Sequence, residues 1–438
     1  MLPITLMNTP IGIRTFDSHF ECEPLIKPFG FKGNKITNVW QVAVLLESNE
    51  GDKKIGLSTQ SVLWSDPRVF VEHPEYDGNE LMYSITKYAL DLVKGDSYID
   101  PISLLEDIFE DIFSYAKKIT GHRDLKKTFV LNALVGFDNA AWLLYASKHG
   151  INNFDEMIPP IYRQGLSEKH NRVVSIPVVG YGTSIDDIIQ MAKKGFFIMK
   201  IKIGAPGTQV EMLEKDKEYL NAIHGAIGDL ETSHLPSGKI PYYFDANGRY
   251  ENIDMLMRFL DYAEKIGALN QIAVLEEPFS DEYQENVIDI TDRGPRVAAD
   301  ESSHTDKDTL VRIEQGYNMI ALKAIAKTLS MTLKIAQLAF AHKIPCFCAD
   351  LTVNPILVDW NKCVAARLPS FPDFNLGLQE TNGWQNYKNW EKMCSYHPIP
   401  SASWINTRDG FYKTDEDFFE KSGGIFHTSS HYEKIFQS

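Results

Sequence analysis

The feature that most constrains this chain is a series of charged residues, each closing an apolar run. Lys200-Ile201-Lys202 closes FFIMKIKIG, Asp245 closes YYFDAN, Glu276-Glu277 closes IAVLEEP, Asp300-Glu301 closes VAADES and Lys323 closes MIALKA. Apolar runs of this length, bounded by turn residues, read as strands buried on both faces, the habit of parallel sheets. A charge at the end of such a strand is costly unless it is paired or binds a metal. Five such ends in register imply one shared polar site at the mouth of a barrel.

The rhythm of the chain agrees. From about residue 173 strand and helix patterns alternate: VVSIPVVGYG, SIDDIIQMAKKG, FFIMKIKIG, VEMLEKDKEYLNAIHGAIG, IPYYFDANG, IDMLMRFLDYAEKIGA, then AVLEEP, VAADES, MIALKA, IPCFCAD and LGLQET. Such alternation implies parallel strands with crossover helices. About eight strands predict an α/β fold, a (β/α)8 TIM-type barrel over residues 156–383; the poorly patterned stretch around Cys363 leaves the count open by one. TSHLPSGK reads as a surface loop. Residues 1–155 differ. They offer two strands, ITNVWQVAVLLES and KKIGLST, joined by a turn at Asn49–Asp52, and then three helical patterns, which together predict an α+β unit. The aromatic-rich tail, 384–438, is expected to pack back on that first unit.

Composition narrows the partners. A net charge of −15 over 438 residues argues against nucleic acid or an anionic membrane surface. No apolar run approaches the roughly 20 residues needed to span a bilayer. The N-terminus lacks the charged start and apolar centre of a secretory signal, so the expected compartment is the cytoplasm. Five scattered cysteines do not read as a disulfide framework. Cys346 and Cys348, two apart on a strand, are expected as reduced thiols inside the barrel.

Three of the strand-end acids, Asp245, Glu276 and Asp300, lie 31 and 24 residues apart, about one strand-helix unit each. Adjacent parallel strands are roughly 4.8 Å apart, so their side chains can converge on one cation. Carboxylates without His or Cys partners suit a hard ion, Mg²⁺ first and Mn²⁺ second. In chain order Lys200 and Lys202 precede the acids and Lys323 follows them, which around a barrel puts lysines on both sides of the metal. A lysine beside another cation and partly desolvated has a lowered pKa and can act as a base.

KIKIG, FDAN, LEEP, ADES and ALKAIAK, in that order and spacing, resemble the enolase superfamily, and more narrowly the muconate-lactonizing-enzyme-like subgroup of its mandelate racemase/muconate lactonizing enzyme family. The resemblance covers almost the whole chain. PLIKPFGFKGNKITN and GLSTQSVLW look like the two active-site loops of that family's capping domain, and RDGFYK looks like the returning segment that completes the cap. The resemblance implies that Asp245, Glu276 and Asp300 bind Mg²⁺. It implies that Lys202 and Lys323 are bases on opposite faces of a small-molecule carboxylate. Lys200 would lie beside the substrate carboxylate and lower the pKa of Lys202. Asn247, Glu277 and Glu301 would orient the ligands. Asp350 and Glu380, at the last strand ends, and Trp64, with Phe29 and Phe31, are the candidates for substrate contact. A homo-oligomer is expected from the resemblance alone.

The implied chemistry is removal of the proton α to a carboxylate through an enediolate. The sixth strand end carries Lys323, and IPCFCAD offers no histidine, which favours the two-lysine branch and a racemase, epimerase or cycloisomerase. An acid-sugar dehydratase is the alternative enzyme, and a non-catalytic carboxylate-binding relative the alternative of another class. The chain departs from the family where KAIAKTLS replaces a glycine pair, and LGLQETNG lacks the aspartate pair of a dipeptide epimerase.

Overall fold

The computed structural model describes residues 9–31, 34–280, 288, 290–372 and 374–437, with backbone only at Phe31 and Thr291. The first unit is built on an antiparallel sheet of order β3-β2-β1-β4: β1 (Ile11–Phe31), β2 (Asn34–Ser48), β3 (Lys53–Gln60) and β4 (Ser97–Tyr98). The expected pair is β2 and β3, joined at residues 49–52. The loop expected at PLIKPFGFKGNKITN is largely strand: β1 pairs with β2 from Ile13↔Ser48 to Phe31↔Asn34. The period-two pattern explains it. Phe16 and Phe20 pack toward the core, Phe20 stacked on Trp40 at 3.8 Å, while Asp17 and Glu21 alternate with them. Lys32 and Gly33, at the tip of that stretch, lie outside the described residues.

Three helices cover the sheet, α1 (Tyr76–Leu92), α2 (Pro101–Thr120) and α3 (Lys127–Lys148). All residues of α3 from Thr128 to Ala146 are buried. Its approach to the sheet depends on Gly56, where a Cβ would lie 2.0 Å from the Gly136 carbonyl and 2.3 Å from the Ala140 nitrogen. By length and composition α3 could cross a membrane, against the expectation that no apolar stretch is long enough. Its apolar window is entirely buried inside the protein, so the apolarity serves a core.

The second unit is the expected barrel. Its staves are β5 (Arg172–Ile176) with β6 (Val178–Val179), β7 (Met199–Lys202), β8 (Tyr242–Asp245), β9 (Ile272–Glu276), β10 (Arg296–Ala299), β11 (Met319–Leu322), β12 (Cys346–Cys348) and β13 (Gly377–Glu380). Neighbours pair in parallel along the chain. The ring closes through Pro177: β5 pairs with β13, and β6, one residue later, pairs with β7. Among the described residues the crossover helices are α4 (Ile185–Lys193), α5 (Gln209–Ile227), α6 (Ile253–Lys265), α7 (Asp306–Glu314), α8 (Leu329–Ala341) and α9 (Pro355–Ala365). The stretch around Cys363, opaque to periodicity, is α9.

Alternate residues of the staves fill the interior: Val174, Ile176, Tyr243, Val274, Ala298, Ala321, Phe347 and Leu378 share one cluster. Phe347 takes the inward position, so Cys346 and Cys348 point the other way, into the layer shared with the helices. They are buried free thiols, but not inside the barrel as expected. Phe197, Leu235, Phe374 and Phe411 belong to the same interior cluster at the N-terminal ends of the strands, so TSHLPSGK contributes a floor residue, Leu235, as well as a loop.

The tail divides its contacts. RDGFYK does not complete the cap: β14 (Phe411–Lys413) lies antiparallel on β5, where Phe411 fills the barrel floor. Other tail segments do reach the first unit. Lys388 donates its backbone N–H to the Pro24 carbonyl, and His431 lies 2.7 Å from Glu21. The two units also meet directly, through Lys127 on Asp308 at 3.0 Å and Thr128 with His304 at 2.6 Å.

Candidate active site

The register of the barrel builds the site. Lys202, Asp245 and Glu276 are paired neighbours on β7, β8 and β9. Ala298 continues that row on β10, so Asp300 stands one pleat higher, and Lys323 follows the end of β11. Side chains alternate along a strand, so Lys200 and Lys202, like Tyr243 and Asp245, project to the same inner side. Immediately after their strands, Asn247 and Glu277 take positive φ values of 45° and 39°. That conformation is uncommon for a glutamate and turns the chain sharply at the rim.

The lysines and acids meet. Lys200, 3% exposed, donates to Glu276 at 2.7 Å and Glu380 at 3.1 Å and lies 3.0 Å from Asp245. Lys202 donates to Asp245 at 2.5 Å and to Asn247 at 2.8 Å. Lys323 reaches Asp300 at 2.5 Å. Lys202 and Lys323 therefore stand at opposite ends of the acidic row, each on a different aspartate. Asn247 also donates to Glu301 at 2.9 Å, and Glu277 accepts the backbone N–H of Asp300 at 2.8 Å. Asp350 is buried beside Glu380, which accepts its N–H at 3.3 Å, and accepts in turn from the Asn382 N–H at 2.8 Å. Trp64 lies on the first unit, edge-on to Phe29 with ring centroids 5.4 Å apart. The Phe31 side chain lies outside the described residues.

Seven carboxylates (Asp245, Glu276, Glu277, Asp300, Glu301, Asp350 and Glu380) thus share the rim with the ammonium groups of Lys200, Lys202, Lys323 and Lys327. The imbalance is visible in the acids. Burial, reinforced by Asp245, lifts Glu276 well above the ordinary carboxylate range. Burial and Glu301 push Glu277 up to about 8, and burial with Glu380 pushes Asp350 up to about 7. Against burial, Lys200 and Lys202 hold Asp245 low, and Lys323 and Lys327 hold Asp300 low.

Two of the lysines are raised. Burial favours neutral lysine, but Asp245, Glu276 and Glu380 lift Lys200 well above its ordinary value, and Asp300 and Glu301 lift Lys323. In the metal-free protein carboxylates surround each ammonium and outweigh desolvation.

The residues fit a divalent cation. Oxygens of Glu276, Asp300 and Glu301 all lie within 4.8 Å of one another, and the second oxygen of Glu301 is buried with no hydrogen-bond partner. An all-carboxylate set with excess negative charge matches Mg²⁺. Glu301 stands inside this oxygen cluster, closer than an outer orienting role implies, while Asp245 adjoins it through the Lys200 bridge to Glu276.

Sequence reasoning missed two participants. Tyr243 donates its hydroxyl to Glu276, and YYFD signals it by placing Tyr243 two residues before Asp245. Lys327 donates to the Asp300 carbonyl at 2.8 Å; it was legible as the lysine standing near the absent glycine pair. A contact between the units also gave no signal: Gln41 donates to the Tyr387 hydroxyl at 2.8 Å across a separation of 346 residues.

Comparison with known proteins agrees with this architecture. The profile of the family described as enolase C-terminal domain-like matches residues 185–400. A search of curated proteins returned no match. Solved structures match at low identity over most of the chain. An enolase superfamily member from Listeria innocua is 17% identical, with 98% of this chain and 96% of that one covered and a TM-score of 0.63. A dipeptide epimerase from Cytophaga hutchinsonii, complexed with Mg and D-Ala-L-Val, is 18% identical, with 86% and 88% covered and a TM-score of 0.61. The L-Ala-D/L-Glu epimerase from Bacillus subtilis, in a substrate-liganded complex, is 18% identical, with 86% and 91% covered and a TM-score of 0.60. At these identities the likeness is one of fold.

Proposed function

Starting from a chain that belongs to the enolase superfamily, of the mandelate racemase/muconate lactonizing kind, we propose that it is a Mg²⁺-dependent enzyme that removes the proton α to a substrate carboxylate, and that its net reaction is racemisation or epimerisation. The observation that carries this reading is the pair of lysines at opposite ends of one acidic row, Lys202 on Asp245 and Lys323 on Asp300. Glu276 and Asp300, with Asp245 and Glu301 beside them, are the residues that would hold the cation. When bound, the cation supplies positive charge against the negative charge that develops on the substrate carboxylate.

The chain's own residues do the rest. Lys202 and Lys323 approach a centre between them from two sides, so one takes the α-proton and the other returns a proton to the opposite face. Lys200, between three carboxylates, keeps those acids apart from one another's charge and presents a fixed ammonium to the substrate. Asp300 and Glu301 keep Lys323 protonated in the metal-free site, so it has no lone pair to offer a proton; a cation held by those acids would offset their charge and favour the neutral amine that a base requires. Asp350 and Glu380 line the same rim and face the remainder of the substrate.

The experiment is α-proton exchange in D₂O with Mg²⁺, across dipeptides, N-acyl amino acids and sugar acids, followed by NMR. Metal-dependent deuterium incorporation with inversion supports racemisation or epimerisation. Release of 2-keto acid would move the assignment to a dehydratase. No exchange across the panel would overturn the reading.

A further inference from the structure

The barrel base Lys323 is tethered to the first unit by a carboxylate that makes no contact with the site. Asp138, in the middle of α3, is fully buried, and the hydrogen bonds it accepts all come from the start of α8 or from the tryptophan beside it. It accepts the backbone N–H of Leu329 at 2.9 Å and of Ser330 at 3.1 Å, and the Ser330 hydroxyl. Trp142, one turn along α3, donates to the same hydroxyl at 3.0 Å. The first amides of a helix have no partner within it, so Asp138 caps α8 from another unit, 191 residues away. Thr328, at φ 67°, caps only the next amide, Met331.

The segment between this cap and Lys323 is short and stiff. The Lys323 carbonyl accepts the N–H of Ala326 at 3.0 Å and of Lys327 at 2.7 Å. Lys327 then pins the segment to Asp300, donating to its carbonyl at 2.8 Å. Ala324, Ile325 and Ala326 are buried, so little slack separates Lys323 from the helix start. A displacement of Leu329 is therefore passed to the turn that carries Lys323. Lys202 stands apart from this segment, on β7 across the acidic row.

We propose that Asp138 is a positioning residue, which sets the aim of Lys323 from the capping unit by fixing the start of α8. This inference rests on the two-lysine reading above. Burial pushes the Asp138 carboxyl up to about 7, against the bonds from Ser330 and Leu329, in keeping with a carboxylate that has no cation beside it and is kept for its geometry.

The test compares the parent with Asp138→Asn and, as a milder change outside the acid, Ser330→Ala, in the full-length protein with Mg²⁺. Asparagine keeps an acceptor but loses the second oxygen and the charge. Exchange from the enantiomer served by Lys323 should fall at least about tenfold in kcat, since misplacement of a reacting group by about 1 Å costs up to about a hundredfold. Exchange from the enantiomer served by Lys202 should change less than about twofold. Ser330→Ala should show the same asymmetry at smaller size. A merely structural role would lower both enantiomers equally, and equal loss, or none, overturns the proposal. A second arm needs no substrate: amide hydrogen exchange at residues 326–330 of metal-free Asp138→Asn should be at least about tenfold faster than in the parent, with the strands β7 and β8 unchanged. Unchanged protection at 326–330 also overturns the proposal. If the parent exchanges no carboxylate at all, the reaction assigned above fails while this second arm still decides the tether.

Discussion

Replacing Lys200 with methionine keeps the length of the side chain and removes one buried ammonium from among Asp245, Glu276 and Glu380. The metal-free site then holds unbalanced charge, and its least costly response is to bind a proton. Asp245 is the group to take it, because burial raises it and Lys200 is the largest influence keeping it ionised. An aspartate in the unfolded chain titrates at 3.8. Holding it protonated at pH 7 therefore costs about three pH units at about 1.4 kcal/mol each, or about 4 kcal/mol. The same reasoning at pH 5 leaves about 1.6 kcal/mol. The first figure falls within the roughly 3–5 kcal/mol found when one partner of a buried pair is removed. The assay is denaturant unfolding in EDTA at both pH values, parent against Lys200→Met, followed by tryptophan fluorescence. Saturating Mg²⁺ should narrow the gap, because the cation takes over the neutralising role of the ammonium. A loss under about 1 kcal/mol at pH 7, or one that does not shrink at pH 5, would refute the argument that Lys200 balances these three acids.

Lys202→Ala should abolish proton exchange from one enantiomer while sparing the other by at least about tenfold; equal residual rates by NMR would show that the lysines do not serve separate faces. Asp300→Asn should weaken Mg²⁺ binding, read by calorimetry, and remove exchange from both enantiomers; full turnover in the variant would exclude Asp300 from the cation site. The metal-free protein should lose stability as pH rises from about 4 to about 8. Asp138 and Asp350, pushed to about 7, and Glu277, pushed to about 8, keep protons in the folded chain that the unfolded chain releases above 3.8 and 4.5. Asp138→Asn should flatten that slope in denaturant titrations; an unchanged slope would mean that the buried carboxylate does not titrate there.

The barrel and its charged rim were legible in the sequence because each charge closes a doubly buried strand, and such strands write continuous apolar runs. IAVLEEP could hardly be anything else. The first unit was harder. Its long strand β1 alternates Phe16 and Phe20 with Asp17 and Glu21, a weaker signal that Pro24 and Pro28 interrupt. RDGFYK was misplaced because a three-residue strand, Phe411–Lys413, carries too little pattern to name its partner. The raised lysines, Lys200 and Lys323, were not legible because sequence shows which charges are near one another but not how many carboxylates surround each ammonium. Asp138 escaped for a related reason: its role depends on the tertiary approach of α3 to α8, which local periodicity does not encode.

The route of the tail has a mechanical consequence. After leaving β13 the chain touches the hairpin at Pro24, runs beneath the staves at Phe411 and comes back up to Glu21 through His431. It laces the two units together like a cord passed under one and tied to the other. The upper unit is thereby denied the swing of a hinged door.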